Sequence, residues 1–414
     1  MKPIQPVRGD GPMRLRRHNE RRLFQLLRRL GEASKAELAR HTDLTSTAVG
    51  AIIQAFEQDA LVMPTGRRVE GQRGQPATLV QINPKGAFGI GVRLDRDAIE
   101  VVVVDLGGEM LARRMHVREL PPPADTLALV QADITAMLAE LTPAERERIA
   151  GIGIAQPFNL GAWLRELGLT SPSFAAWDDF AFDEALAEAT GLPVYAENDA
   201  NAAAIAELFH GRGRRHEHFL YLFLGPVIGA GVVLGGTCVR GASGNAGDIA
   251  VMPVLPSRLP SAAPTAGKWA MLLSRASLNA LSRHLRWHGE QVATHADLAE
   301  FVRNGHSGVG EWLADCVDAL APAVRSALCM LDVPLVVLDA DVDDGLIDRL
   351  RIALARELAD TAPEARGVPA IVRGTFGSDA GAIGAASLPM FFSFSPRSEA
   401  LEGAERGREE VQHV

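Results

Sequence analysis

Apolar residues recur at helical spacing three times within the first sixty positions, and the pattern then becomes strand-like. Leu23, Leu26, Leu27 and Leu30 fall three and four residues apart and predict a helix stopped by Gly31. Ser34-Lys35-Ala36-Glu37 has the S-x-x-E form of a capping box and opens a second, short helix through Leu38-Ala39. After a polar Thr42-Asp43 turn, Val49, Ile52, Ile53 and Phe56 mark one face of a third helix, which begins at hydroxyl residues. Leu61-Val62-Met63 and Thr78–Ile82 read as two strands of a hairpin around the arginine- and glycine-rich segment from Gly66 to Pro76. From Phe88 onward, strand and helix patterns alternate. Phe88–Val92, Ile99–Asp105 and Glu109–Arg113 are consecutive strands, a helix follows near Leu127–Leu141, and Ile149–Ala155 is another strand. Leu192–Ala196 is a short strand that runs into the alanine-rich helix of Glu197–Leu208. Apolar stripes at Leu278, Leu281 and Leu285, and along Ala314–Leu331, are core-facing helices. The expected organisation is a basic arm over 1–18, a small helical module with its hairpin over 19–84, an α/β body over 86–390, and a disordered Glu- and Arg-rich tail over 391–414.

With 414 residues, 47% of them hydrophobic, the chain can build two or three domains with real cores. No run of about 18 apolar residues occurs, and the arginine-rich start lacks the apolar segment of a secretion signal. A cytoplasmic protein without a membrane role is expected. Cys238, Cys316 and Cys329 have no paired spacing, which argues against a disulfide framework or structural zinc and for buried thiols. The net charge of −9 hides an asymmetry. Residues 1–75 hold 14 Lys and Arg against 8 Asp and Glu, a net of +6, while the remainder holds 28 against 43, a net of −15. A basic head on an acidic body points to a polyanion-binding module.

That asymmetry gives the head a chemical reading. Two short helices joined by a tight turn, the second opening on small polar residues, match a helix-turn-helix whose recognition helix enters the major groove. Thr45, Ser46, Thr47 and Gly50 would then face DNA. The hairpin would act as a wing, with Arg67, Arg68, Arg73 and Gln75 reaching phosphates or the minor groove. A generic three-helix packing unit is the alternative, and the basic hairpin weakens it. In the body, Asn198, Asp199 and Asn201 stand where a strand gives way to a helix, a place where ligands bind in α/β sheets. A carboxylate flanked by amides can fix several hydroxyls, and Asp199 could accept a proton from one of them. Simple helix capping by Asn198 or Asp199 explains the same residues. His284, His288 and His295 lie along a polar helical stretch and are read as surface or capping positions without a role. Trp269, Trp287 and Trp312 are read as core or interface residues.

The order of first helix, Ser34–Ala39, Leu44–Val49, Leu61-Val62 and Gly71–Ala77 resembles the winged-helix head of the ROK family of repressors, open reading frames and sugar kinases. Gly151–Pro157, Trp177, Leu192–Leu208, Gly225–Val251 and Gly381–Ala386 extend the resemblance over nearly all of the body. It implies an α/β, actin-like, sugar-kinase-like fold of two lobes around a cleft, preceded by the winged helix-turn-helix. In the family's kinases, the aspartate of Asn-Asp-Ala-Asn is the base that activates a sugar hydroxyl, and the preceding asparagine binds sugar. This carries over to Asp199 and Asn198. The phosphate loop Asp-x-Gly-Gly-Thr, however, reads Arg93–Asp97 here. The loop Gly-Thr-Gly-x-Gly reads Gly225–Gly229, with Pro226 lacking an N–H, and a later Gly-Gly pair reads Asp339-Ala340-Asp341. The sugar-side run Gly-Glu-x-Gly-His reads Gly247–Val251, keeping a carboxylate at Asp248 but losing the histidine. No cysteine stands in Ala266–Ser274, so no zinc is expected there. Together these features predict a DNA-binding transcriptional regulator, a repressor, whose body senses a sugar or sugar derivative through Asn198, Asp199 and Asp248. Asp199 would be a vestigial base, with no catalysis, cofactor or metal. Operator DNA and a homodimer or homotetramer are the expected partners. The alternatives are an active ATP-dependent sugar kinase with a regulatory DNA-binding head, and a ligand-blind DNA-binding protein governed by a protein partner.

Overall fold

The computed structural model describes residues 18–68, 77–158, 160, 172–177, 179–265, 267–294, 297–342, 344–362, 364 and 367–395. They form two compact units, one from the residues up to His210 together with those from Gly381, the other from Gly211–Ala380.

The first unit begins with α1 (His18–Leu30), β1 (Glu32–Ser34), α2 (Lys35–Thr42), α3 (Ser46–Gln58), β2 (Val62–Arg68) and β3 (Ala77–Ile82). The predicted capping box is present: Ser34 Oγ accepts from Glu37 N, and Glu37 Oε2 accepts from Ser34 N. α2 ends at Asp43 in a left-handed conformation, which turns the chain toward α3 within three residues. β1, missed by the periodicity because it is only three residues long, is the outer strand of an antiparallel sheet in the order β1-β3-β2. Leu23, Phe24, Leu27, Leu38, Val49, Ile53 and Phe56 are buried and form the core of this module.

The rest of the unit is built on β4 (Phe88–Leu94), β5 (Ala98–Asp105), β6 (Met110–Val117), α4 (Pro123–Glu140), α5 (Pro143–Arg146), β7 (Ile149–Gln156), α6 (Phe182–Thr190), β8 (Val194–Asn198) and α7 (Asp199–Phe209). Its sheet has the order β6-β5-β4-β7-β8, antiparallel from β6 to β4 and parallel from β4 to β8. The helix from Ala380 to Phe394, α12 in chain order, packs on this sheet through small residues. A Cβ at Gly89 would fall on the carbonyl of Ala386 and one at Gly153 on that of Ala385, while one at Gly91 would lie 2.6 Å from the carbonyl oxygen of Ala382. α12 therefore sits at backbone contact with β4 and β7. Gly384 likewise meets the backbone of Ala202 in α7, so strands, α7 and α12 are locked together.

One boundary differs from expectation: the body does not end at 390, because α12 runs to Phe394, so residues 391–394 belong to a helix and not to the tail. Phe394 stacks on Phe24 of α1 with ring centres 5.0 Å apart, and Phe391 meets Phe209 edge-on at 5.9 Å. Burying these rings outweighs the roughly 3 kcal/mol cost of a helix-interior proline.

The second unit contains β9 (Phe219–Leu224), β10 (Ile228–Leu234), β11 (Thr237–Val239), β12 (Pro253–Val254), β13 (Ala270–Met271), α8 (Leu278–Trp287), α9 (Leu298–Arg303), α10 (Ser307–Leu331), β14 (Leu335–Ala340), α11 (Asp344–Asp360) and β15 (Ala370–Arg373). Its main sheet has the order β11-β10-β9-β14-β15, and β12 pairs with β13. Trp312 is buried and its indole N–H donates to the carbonyl of Arg275, whereas Trp269 and Trp287, read as core or interface positions, are exposed. Cys238 and Cys316 are buried as expected, but Cys329 is exposed.

Candidate functional site

Parallel pairing of β8 with β7 brings Asn198 opposite Gln156, and the chain turns directly into α7. Asn198 is the helix cap, its Oδ1 accepting from the N–H groups of Ala200 (3.0 Å) and Asn201 (3.3 Å). Glu197 is fully buried, and its Oε1 accepts from Asn198 N (2.9 Å) and Asn201 Nδ2 (3.3 Å). Asn201 is therefore a buried strut for the turn. That leaves Asp199, half-buried, with Oδ1 accepting from Ala200 N at 2.8 Å, and Asn198 as the accessible polar residues of the segment.

Asp199 faces the turn between β4 and β5. Burial, then repulsion from Asp95, push its carboxyl above the ordinary aspartate range, against the Ala200 N–H and the guanidinium groups of Arg93 and Arg96. Burial in turn lowers the Arg96 guanidinium, opposed by Asp95, Asp199 and Asp97. Arg93 pairs with Asp95 at 3.5 Å, and Arg96 N donates to Asp95 Oδ1 at 2.7 Å. The acidic turn is thus balanced by its own arginines and is not a bare pair of repelling carboxylates. Arg93 and Arg96 are the residues that sequence reasoning missed as neighbours of Asp199; the signal was their place in the altered loop. A carboxylate beside two guanidinium groups can accept from the hydroxyls of a small polar ligand while the arginines donate to them.

In the second unit, the carbonyls of Gly225 and Pro226 accept from Leu278 N (2.9 Å) and Asn279 N (3.4 Å), so the β9–β10 loop occupies donors of the α8 N-terminus. Asp339 is fully buried, its Oδ2 accepting from Tyr221 Oη (3.1 Å) and its Oδ1 from Gly377 N (3.2 Å). It is a structural anchor, fitted against Gly374, where a Cβ would collide with its carboxylate. Asp248 lies in this unit with Oδ2 accepting from Asn245 Nδ2 at 2.9 Å, and burial pushes its carboxyl up. The zinc of the family's kinases does not fit here, because neither 247–254 nor 267–274 offers a thiolate or imidazole and Ala270 pairs with Val254.

Thr45 caps α3, its Oγ1 accepting from Ala48 N at 3.2 Å. Thr45, Ser46 and Thr47 are exposed, and Gly50 is half-buried with open space beside it. Arg67 and Arg68 end β2, paired with Thr78 and Ala77. Arg73 and Gln75 lie outside the described residues. The head touches α7 as well as α12: Arg28 of α1 lies over the ring of Phe209, its Cζ 3.6 Å from the centre.

The ROK family profile matches residues 89–390. An uncharacterised protein of Sinorhizobium fredii is 30% identical over 91% of each chain. The xylose repressor of Bacillus subtilis is 24% identical over 57% of this chain and 60% of its own length. The crystal structure of a ROK family transcriptional regulator, a homologue of the E. coli MLC protein, shares the fold with a TM-score of 0.65 at 20% identity, covering 93% of this chain and 98% of that one. Kinases match too: the glucokinase of Thermotoga maritima is 29% identical over 72% of this chain and 96% of its own.

Proposed function

The chain belongs to the ROK family, whose homologues of this protein include both repressors and glucokinases, and on that premise we propose that it is a sugar-responsive, DNA-binding transcriptional regulator. The observation that carries the reading is the placement of α7. Its first residue is Asp199 and its last, Phe209, lies under Arg28 of the N-terminal module. Eleven helical residues span about 15 Å, so one rigid element joins the polar turn to the head. The head has the elements of a winged helix-turn-helix, with exposed hydroxyls at the start of α3 and an arginine-bearing hairpin. Asn198 and Asp199 take the effector's hydroxyls, and Asp248 serves as a hydroxyl acceptor in its own unit. Ligand held at the turn shifts α7, and DNA affinity changes by the extent to which the effector distinguishes the two positions. A homodimer or homotetramer places two heads about one helical turn of DNA apart.

Loss of phosphoryl transfer is part of the proposal. Support comes from the Arg93–Asp95 pair in the first phosphate turn, the loop carbonyls on the α8 N-terminus, and the carboxylate of Asp339 packed against Gly374. A kinase reading is favoured by one feature, the retained Asp199 with its raised proton affinity. Calorimetry with ATP and its magnesium complex separates the two readings. The regulator shows no nucleotide binding, whereas steady ATP turnover on a hexose, abolished in Asp199→Asn, would establish the kinase.

A further inference from the structure

Three potential ligand atoms converge in the second unit on residues that the proposed function does not use. His284 and His288 stand one turn apart on and at the end of α8, and Glu311 comes from the second turn of α10. His284 Nε2 lies 3.1 Å, and His288 Nε2 3.3 Å, from the same Glu311 Oε2, and the three atoms all lie within 4.8 Å of one another. Metal–ligand bonds of about 2.0–2.1 Å in a tetrahedron put neighbouring ligand atoms a little over 3 Å apart, which the two separations to Glu311 match.

The surroundings suit ligation. His284, read as a surface or capping position, is fully buried, and its Nδ1 is 2.8 Å from Ser261 Oγ. A hydroxyl there can accept the Nδ1–H and leave Nε2 with its lone pair toward Glu311, the outer-shell arrangement typical of metal-bound histidine. Trp287 lies parallel to the His284 ring, with 6.1 Å between centres, and covers one side. Gly308 of α10 makes room for the second histidine: a Cβ there would lie 3.0 Å from His288 Cδ2. His306, 5.5 Å from His288 between ring centres, is engaged elsewhere, its Nδ1 accepting from Gly308 N and its Nε2 against Glu290.

We propose that His284 Nε2, His288 Nε2 and the Glu311 carboxylate bind one divalent transition-metal ion of the zinc type, which clamps α8 to the start of α10 and leaves a coordination position for water. Two imidazoles and one carboxylate favour such ions over magnesium or calcium, which take oxygen ligands. The site shares no residue with the zinc position of the family's kinases.

The test uses the tag-free full chain, stripped with a chelator and titrated calorimetrically with zinc chloride, with magnesium chloride as the control. His284 is buried, so the informative variants are the more exposed His288→Gln and Glu311→Gln, with circular dichroism confirming their fold. The expected result is one equivalent of zinc, at least tenfold weaker binding in each single variant, and loss of that equivalent in the double variant. With cobalt in place of zinc, tetrahedral ligand-field bands should appear in the wild type and vanish in the double variant. No zinc uptake by the wild type, or equal uptake by the folded double variant, would overturn the proposal.

Discussion

Asp199 carries a raised proton affinity in the folded chain, and this has a consequence for stability. A carboxyl raised on folding contributes stability that is fully present below its unfolded value, near 3.8, and is lost as pH rises through the folded one. Asp199→Asn should therefore melt higher than the wild type at neutral pH, with the gap narrowing as the buffer is taken toward pH ~5. A gap that widens on acidification would show that the arginines hold Asp199 ionised. Asn198→Ala removes the cap of α7 and should cost about 1 kcal/mol in chemical denaturation. The strand-to-helix turn was legible from its residues, because capping and hydroxyl binding use the same amides, and Asn198 proves to be the cap. The burial of Glu197 and Asn201 was not legible, nor was the approach of Arg93 and Arg96, since each depends on which strands pair. The same holds for His284 and His288. Their spacing of four was visible, but Glu311 is 27 and 23 residues away and meets them only when α10 packs on α8.

α12 and α7 hold the first unit together by close approach of backbone to backbone. Gly153→Ala should destabilise by at least about 1–3 kcal/mol, since the new methyl must displace α12 or β7, and urea unfolding measures it. Phe394→Ala removes the ring stacked on Phe24 and should cost about 3–5 kcal/mol, with the head losing protection from hydrogen exchange before the body does. Equal loss in both parts would mean that the head is not anchored through this ring. Strands and helices with strong apolar period were legible at this scale, as were the capping box of α2 and the hydroxyl start of α3. β1 is too short to show a period, and the helical end beyond 390 depends on the packing of Phe391 and Phe394 on Phe209 and Phe24.

The uneven charge of the chain bears on the proposed binding of DNA. With a net of +6 in residues 1–75 and −15 beyond, the excess of positive charge lies in the head, and its attraction to phosphate should fall steeply with salt. Arg67→Ala with Arg68→Ala should weaken binding on all sequences alike and flatten the log–log salt dependence by about 0.9 for each phosphate that is no longer neutralised. An unchanged slope would remove both arginines from the interface. Among the described residues, no helix is long and apolar enough to cross a membrane. The order of head and α/β body could be read along the chain from the change of period near Phe88. The approach of α1 to the far end of α7 could not, because it joins residues nearly two hundred positions apart. The measurement that tests the account most directly is the affinity of the full chain for the DNA upstream of its own gene, by fluorescence anisotropy, without and with D-xylose and D-glucose as probes. The account predicts a clear preference over scrambled duplex, a shift of about 5–150-fold with a recognised sugar, and loss of that shift but not of DNA binding in Asp199→Ala. Equal affinity for upstream and scrambled duplex, or a sugar response that persists undiminished in Asp199→Ala, would contradict it.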